Sequence, residues 1–354
     1  AVMMDDDGKI YLYWGFCPAC EKEMEIPELN EEMLAEFPEN LQKVFRILSK
    51  AKFEVNSQVA ELEEDMLTLK EEPRPLIPSG KTSEGTGFEG HAFFEASSVR
   101  KVNGKYYFIY SSHKSHELCY AISDKPDREF RYGGVVISNG NIGLKGNQKP
   151  TYTLSNNHGG IVKLSDGYYI FYHRGTQGTE FSRQGCAEKI EIAADGTIEQ
   201  VETTSCGLNQ GALAGAGSYP AGICCHMTCR TTRDTIDYSD PVMQKQTRVT
   251  QEKDVSFVTD IEDGTILGYK YFDCENISDI FLKIRGDFKG KVVLSLDKDG
   301  RNKMGETEIE IREKNWIIQE AACSVNGKNI PIYISFFGDG HLDMKNFAFK
   351  KNGE

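Results

Sequence analysis

Three stretches of the chain share one pattern of apolar and polar positions. "VMMDDDGKIYLYWG" (2–15), "SVRKVNGKYYFIYS" (98–111) and "GIVKLSDGYYIFYH" (160–173) each begin with a few alternating apolar residues. Each then reaches Asp-Gly or Asn-Gly and continues into an aromatic-rich run. Period-two alternation predicts half-buried strands, and dipeptides that tolerate positive φ predict tight hairpin turns between them. A weaker copy, "EIAADGTIEQV" (191–201), follows the third. Repeated antiparallel hairpins predict a β-propeller in which each hairpin opens a blade. The uneven spacing requires insertions between blades, and a β-sandwich is the alternative that the pattern leaves open.

The longest insertion changes period. "PELNEEMLAEFPENLQKVFRILSKAKFE" (27–54) places Leu34, Phe37, Leu41, Phe45 and Leu48 at helical spacing, with Pro38 dividing it into two short helices. It reads as a surface insertion that supplies no catalytic carboxylate. "VAELEEDMLTLK" (59–70) returns to strand alternation. Beyond "TTRDTIDYSDPVMQKQ" (231–246), which reads as a linker, come several short alternating strands with Gly-rich or charged turns. They predict a separate antiparallel sandwich. The division expected is 1–235 for the propeller and 236–354 for the sandwich. Trp316, in the strand "EKNWIIQEAACSV", is expected to pack rather than to bind sugar.

Composition narrows the function. The 354 residues are 39 % hydrophobic and 27 % charged, an ordinary globular balance, and the net charge of −13 argues against a phosphate backbone as partner. No stretch is long and apolar enough to cross a membrane as a helix. Of 10 cysteines, Cys17 and Cys20 form a CxxC and Cys224, Cys225 and Cys229 a second cluster, neither with the spacing of a zinc site. Free thiols in a reducing cytoplasm are the expectation. The chain opens on "AVMMDDDGKIYLYWG", already inside a strand pattern, and reads as a fragment missing its natural beginning.

Candidate chemistry starts at "GHAFFEASSVRKVNGKYYFIYSS" (90–112). Glu95 stands behind two phenylalanines at the apolar start of a strand. A carboxyl against aromatic rings loses hydration, which raises its pKa and suits a general acid. A rim carboxylate paired with Arg100 or Lys101 is the plain alternative. His158, in "SNNHGGIVKL", holds the same place before its own strand, so propeller geometry would aim both at one axis. Arg183, in "TEFSRQGCAEKIEI", could bond sugar hydroxyls or hold a carboxylate. Trp14, ending "YLYWG", suits either a sugar face or the core. "GALAGAG" (211–217) lacks the Lys-Ser/Thr of a phosphate loop, and no cysteine carries a Cys–His nucleophile signature.

At these residues the sequence closely resembles glycoside hydrolase family 43, whose members are five-bladed β-propellers that hydrolyse arabinose- and xylose-containing plant polysaccharides with inversion. The resemblance implies Glu95 as the general acid, His158 as the axial histidine that helps hold a metal ion or water, and Arg183 as the active-site arginine. It implies no required cofactor, with a calcium ion possible in the channel. Residues from about 250 to 350 resemble carbohydrate-binding module family 6. α-L-Arabinofuranosidase or β-xylosidase activity on an oligosaccharide or polysaccharide is the implied function, with a non-catalytic sugar-binding propeller behind it. The family's catalytic base and its pKa-tuning aspartate have no counterpart here, because Asp5, Asp6 and Asp7 read as turn residues. On that resemblance the chain alone hydrolyses near background, and the missing blade would come from an absent N-terminal segment or another chain.

Overall fold

The Asp-Gly and Asn-Gly turns each join the first two strands of a separate antiparallel sheet. The computed structural model describes residues 1–17, 31–35, 42, 56–179, 181–232, 242 and 245–353. By contacts the chain divides into two units, Ala1–Lys114 with Cys119–Gly133, and Ser115–Leu118 with Gly134–Glu354.

In the first unit, β1 (Val2–Met4), β2 (Ile10–Trp14), β3 (Asn56–Leu62) and β4 (Arg74–Pro78) form a four-stranded sheet in chain order. Between β2 and β3 the described part of the long insertion is one helical turn, α1 (Glu31–Ala35), with Leu34 buried. Apart from residue 42, the rest of the expected two-helix stretch lies outside the described residues. A second sheet follows in chain order: β5 (Phe93–Val102), β6 (Lys105–Ser112), β7 (Glu117–Ser123) and β8 (Arg131–Ser138). The division between units passes through β7 and β8. Asn103 and Gly104 turn β5 into β6 with φ of 49° and 79°, the paired positive values that a type I′ hairpin needs. Four consecutive antiparallel strands are the form of a propeller blade. The core of this unit is aromatic. Phe108 meets Tyr13, Phe93 and Tyr110 edge-on, and the Tyr13 hydroxyl donates to the Pro126 carbonyl at 2.9 Å.

The second unit holds the third hairpin. β9 (Gly159–Leu164), β10 (Gly167–Gly175) and β11 (Arg183–Ile190) make a three-stranded sheet with β10 in the middle. The fourth hairpin expected at 191–201 makes its turn, with Ala193 and Thr197 bonded, but no strand pair. Val201, at its end, donates its N–H to the Val136 carbonyl of β8 at 2.9 Å, and Thr203, just beyond, bonds Asn141.

The remaining sheet has seven strands: β12 (Leu213–Ala214), β13 (Ser218–Pro220), β14 (His226–Thr228), β15 (Arg248–Glu252), β16 (Val255–Ile261), β17 (Thr265–Ser295) and β18 (Lys303–Lys351). β17 and β18 are long ladders broken by bulges, and residues 279–294 pair on one side with 305–322 and on the other with 334–350. Its core gathers Tyr269, Phe272, Phe347 and Phe349, with Tyr269 and Phe347 centred 4.5 Å apart. β12 and β14 pair with β17, and β13 with β18, so backbone hydrogen bonds carry residues 213–228 into the C-terminal sheet. Trp316 packs edge-on to Phe257 at 5.4 Å and under the Arg285 guanidinium at 4.4 Å. No disulfide joins any two of the nine described cysteines.

Candidate active site

Glu95 sits in a break of the β5–β6 ladder. Phe93 lies opposite Ser112, Glu95 opposite Ser111, and Ser98 opposite Ile109, with register shifts on both sides of Glu95. An unbroken ladder from Phe93 would set Glu95 opposite Tyr110, on the face that carries the Phe93 ring. The first shift moves it to the other face, because a one-residue slip inverts the side of every following side chain. Phe93 is fully buried against Phe108 and Tyr110, and Phe94 packs against Phe16 at 5.3 Å. Register therefore takes the half-buried Glu95 off the Phe93 face, where the sequence pattern had put it. Ala96 follows with φ of 69°, a left-handed conformation for a residue with a Cβ.

The cations considered as rim partners are engaged elsewhere. Lys101 Nζ lies 2.7 Å from Asp5 and 2.9 Å from Asp6, while the Arg100 guanidinium donates to the Val99 carbonyl at 2.7 Å. Asp5 also accepts from the Tyr106 hydroxyl, and the Gly8 amide closes the turn onto the Asp5 carbonyl. Asp5, Asp6 and Asp7 are thus hairpin-turn residues. Trp14 ends β2 half-buried, opposite Gln58.

In the second unit His158 and Arg183 come to the same end of one sheet. β9 starts at Gly159, paired with Tyr172, and β11 starts at Arg183, paired with Gly175 at the end of β10. His158 is half-buried, and its ring centre lies 5.3 Å from that of His173. Sequence reasoning missed His173, although its place two residues before Gly175 in the aromatic strand puts it at that same end. The approach to His158 is fastened: the Asn139 amide donates to the Ser155 carbonyl at 2.9 Å, and the Gly175 N–H donates to the Ser155 hydroxyl at 2.7 Å. The Arg183 guanidinium donates to the Ser182 carbonyl at 3.3 Å, in a loop closed by the Thr176 and Ser182 hydroxyls at 2.8 Å.

Deeper in this sheet lie two charged residues that the sequence did not single out. Arg174 is buried, bonds Gln184 and the Gly222 carbonyl, and stacks 4.2 Å over Tyr152. Glu188 accepts from the Thr204 N–H at 2.6 Å, the Thr204 hydroxyl at 2.7 Å and the Tyr172 hydroxyl at 3.4 Å. Burial pushes its carboxyl up to about 7 against the pull of those bonds. Both fasten β10 and β11 rather than facing outward. Among the described residues, no group of three or more His, Cys, Asp or Glu side chains that could hold a metal includes His158. No chemical step is assigned to a metal.

The chain's likeness to known proteins falls on these residues. The family model for Glycosyl hydrolases family 43 matches residues 43–198. A "Xylosidase/arabinosidase" of Thermoclostridium stercorarium is 36 % identical over 355 residues, covering 98 % of this chain and 68 % of that protein. The chain belongs to glycoside hydrolase family 43. A "Beta-xylosidase" of Xylanibacter ruminicola is 31 % identical over 208 residues, and the match spans 57 % of each chain. Among solved structures, the family 43 arabinoxylan arabinofuranohydrolase from Bacillus subtilis in complex with cellotetraose aligns at a TM-score of 0.46. That alignment has 19 % identity and covers 99 % of this chain and 66 % of the other. The family 43 match takes in Glu95, His158 and Arg183 and leaves Trp14 outside.

Proposed function

We propose that the protein cleaves terminal arabinofuranosyl or xylosyl residues from plant oligosaccharides or polysaccharides with inversion of the anomeric centre. The observation that carries this reading is the 36 % identity to a xylosidase/arabinosidase along nearly the whole chain. In it, the Glu95 carboxyl protonates the departing glycosidic oxygen, so that the leaving group departs as an alcohol rather than as an alkoxide. A carboxylate on the opposite face deprotonates the attacking water, and inversion needs the two carboxyls roughly 6.5–9.5 Å apart to hold that water. None of the described residues is assigned that second role. Arg183, with its planar set of donors, suits sugar hydroxyls, and His158 and Trp14 are proposed to complete the contacts with substrate. The test is hydrolysis of nitrophenyl α-L-arabinofuranoside and β-D-xyloside by the full-length gene product, with the anomer of the first-formed sugar followed by NMR. Release of the inverted anomer is expected. Turnover of neither glycoside, or a retained anomer, would overturn the reading.

A further inference from the structure

We propose that Ala96 is a positioning residue for the Glu95 carboxylate, its left-handed backbone being what holds the acid on the Ser111 face of β5. This rests on the acid role proposed for Glu95. Phe93 and Val99 are both fully buried, so β5 is pinned on either side of the acid. From Phe93 to Ser98 the chain takes five steps, against three from Ser112 to Ile109 on β6. The two surplus residues are absorbed around Glu95. Bulges of this kind re-aim a side chain, and they are frequent beside active sites.

Ala96, at φ 69°, bears part of that surplus inside a strand, where no turn calls for positive φ. Left-handed backbone is unfavourable for a residue with a Cβ, and Asn or Asp recoup some of the cost through local side-chain bonds that alanine lacks. An observed outlier held by its surroundings is a pointer to function. A side chain that resists positive φ is expected to flatten the bulge and return Glu95 toward the Tyr110 face.

Asparagine and leucine have equal numbers of side-chain heavy atoms and the same branch point but differ in tolerance of this conformation, so Ala96→Asn and Ala96→Leu separate backbone from branching shape. For a glycoside with a poor leaving group, kcat of the asparagine variant should fall no more than about fivefold, because Asn accepts positive φ. The leucine variant should lose about 10²-fold in kcat with little change in KM, the scale of a misplaced catalytic group. That loss should shrink markedly for a good leaving group, which needs no acid. Should the leucine variant fail to fold, Ala96→Ser replaces it: smaller than asparagine, less at ease at positive φ, and expected to lose more. Equal losses for Asn and Leu, a smaller loss for Ser than for Asn, or a leucine defect independent of leaving group would each overturn the proposal. Glu95→Gln measured in parallel keeps the two readings apart. If it leaves turnover of poor leaving groups intact, the acid assignment has failed, whatever the Ala96 series shows.

Discussion

Glu188 brings a titration near neutrality into the interior of the β9–β11 sheet. Its folded-state pKa, raised to about 7, stands above the ordinary carboxyl value of 4.5. Its contribution to stability is therefore fully present below pH 4.5 and lost as pH rises through 7, by on the order of 3 kcal/mol in total. His226 acts in the opposite sense. Burial, with the Lys270 charge, holds its imidazole down at about 3, so its contribution is lost as pH falls below the usual histidine range. The two slopes oppose each other, and the measurement must be a difference. Urea unfolding of wild type and Glu188→Gln at pH 5, 6, 7 and 8 should show the glutamine variant gaining relative stability as pH rises. An unchanged difference across that range would mean that Glu188 does not titrate there. At this scale the sequence exposed Glu95, because an acid behind two phenylalanines is conspicuous in a strand. It concealed Glu188, which reads as one charge among many until Thr204, distant in the chain, is folded against it.

At the scale of elements, what was legible followed from local backbone demands. Asp-Gly and Asn-Gly dictate a turn by themselves, and all three of those hairpins formed. Ala96 announces nothing, since alanine carries no preference for positive φ, and the bulge it supports comes from packing of Phe93 and Val99 on either side. The copy at 191–201 had the same dipeptide yet formed no strand pair of its own, because its far end, Val201, donates to the Val136 carbonyl of β8 instead. Within the candidate site, the start of β9 is the tightest element. A Cβ built on Gly159 would stand 2.0 Å from the Phe171 carbonyl oxygen and 2.8 Å from a Leu118 methyl. Gly159→Ala must push β9 off β10, at a cost of about 1–3 kcal/mol, and it should move His158 with it. Calorimetry should show a lowered Tm together with a raised KM for the glycoside. An alanine variant of wild-type stability and KM would show that β9 is looser than this register implies.

For the whole molecule, the all-β class and the family were legible, and the pairing of residues 213–228 with the C-terminal strands was not. β12, β13 and β14 are two or three residues long, too short to show a period, and their partners lie roughly 40 to 130 positions onward. Only the assembled sheet reveals that residues 213–228 belong with the C-terminal strands. Glu95, His158 and Arg183 fall in the stretch matched by the family, 43–198, and Trp14 does not; His173 was missed because its place two residues before Gly175 gains meaning only once β10 is paired with β9. The claim on which the functional account turns is that Glu95 protonates the leaving group, and the dependence of Glu95→Gln on leaving-group acidity tests it most directly. In the full-length gene product, the variant should lose about 10²–10⁴-fold in kcat/KM on xylobiose, the usual worth of a general acid, and far less on dinitrophenyl xyloside, whose phenolate departs unaided. An equal loss on both substrates would contradict the assignment.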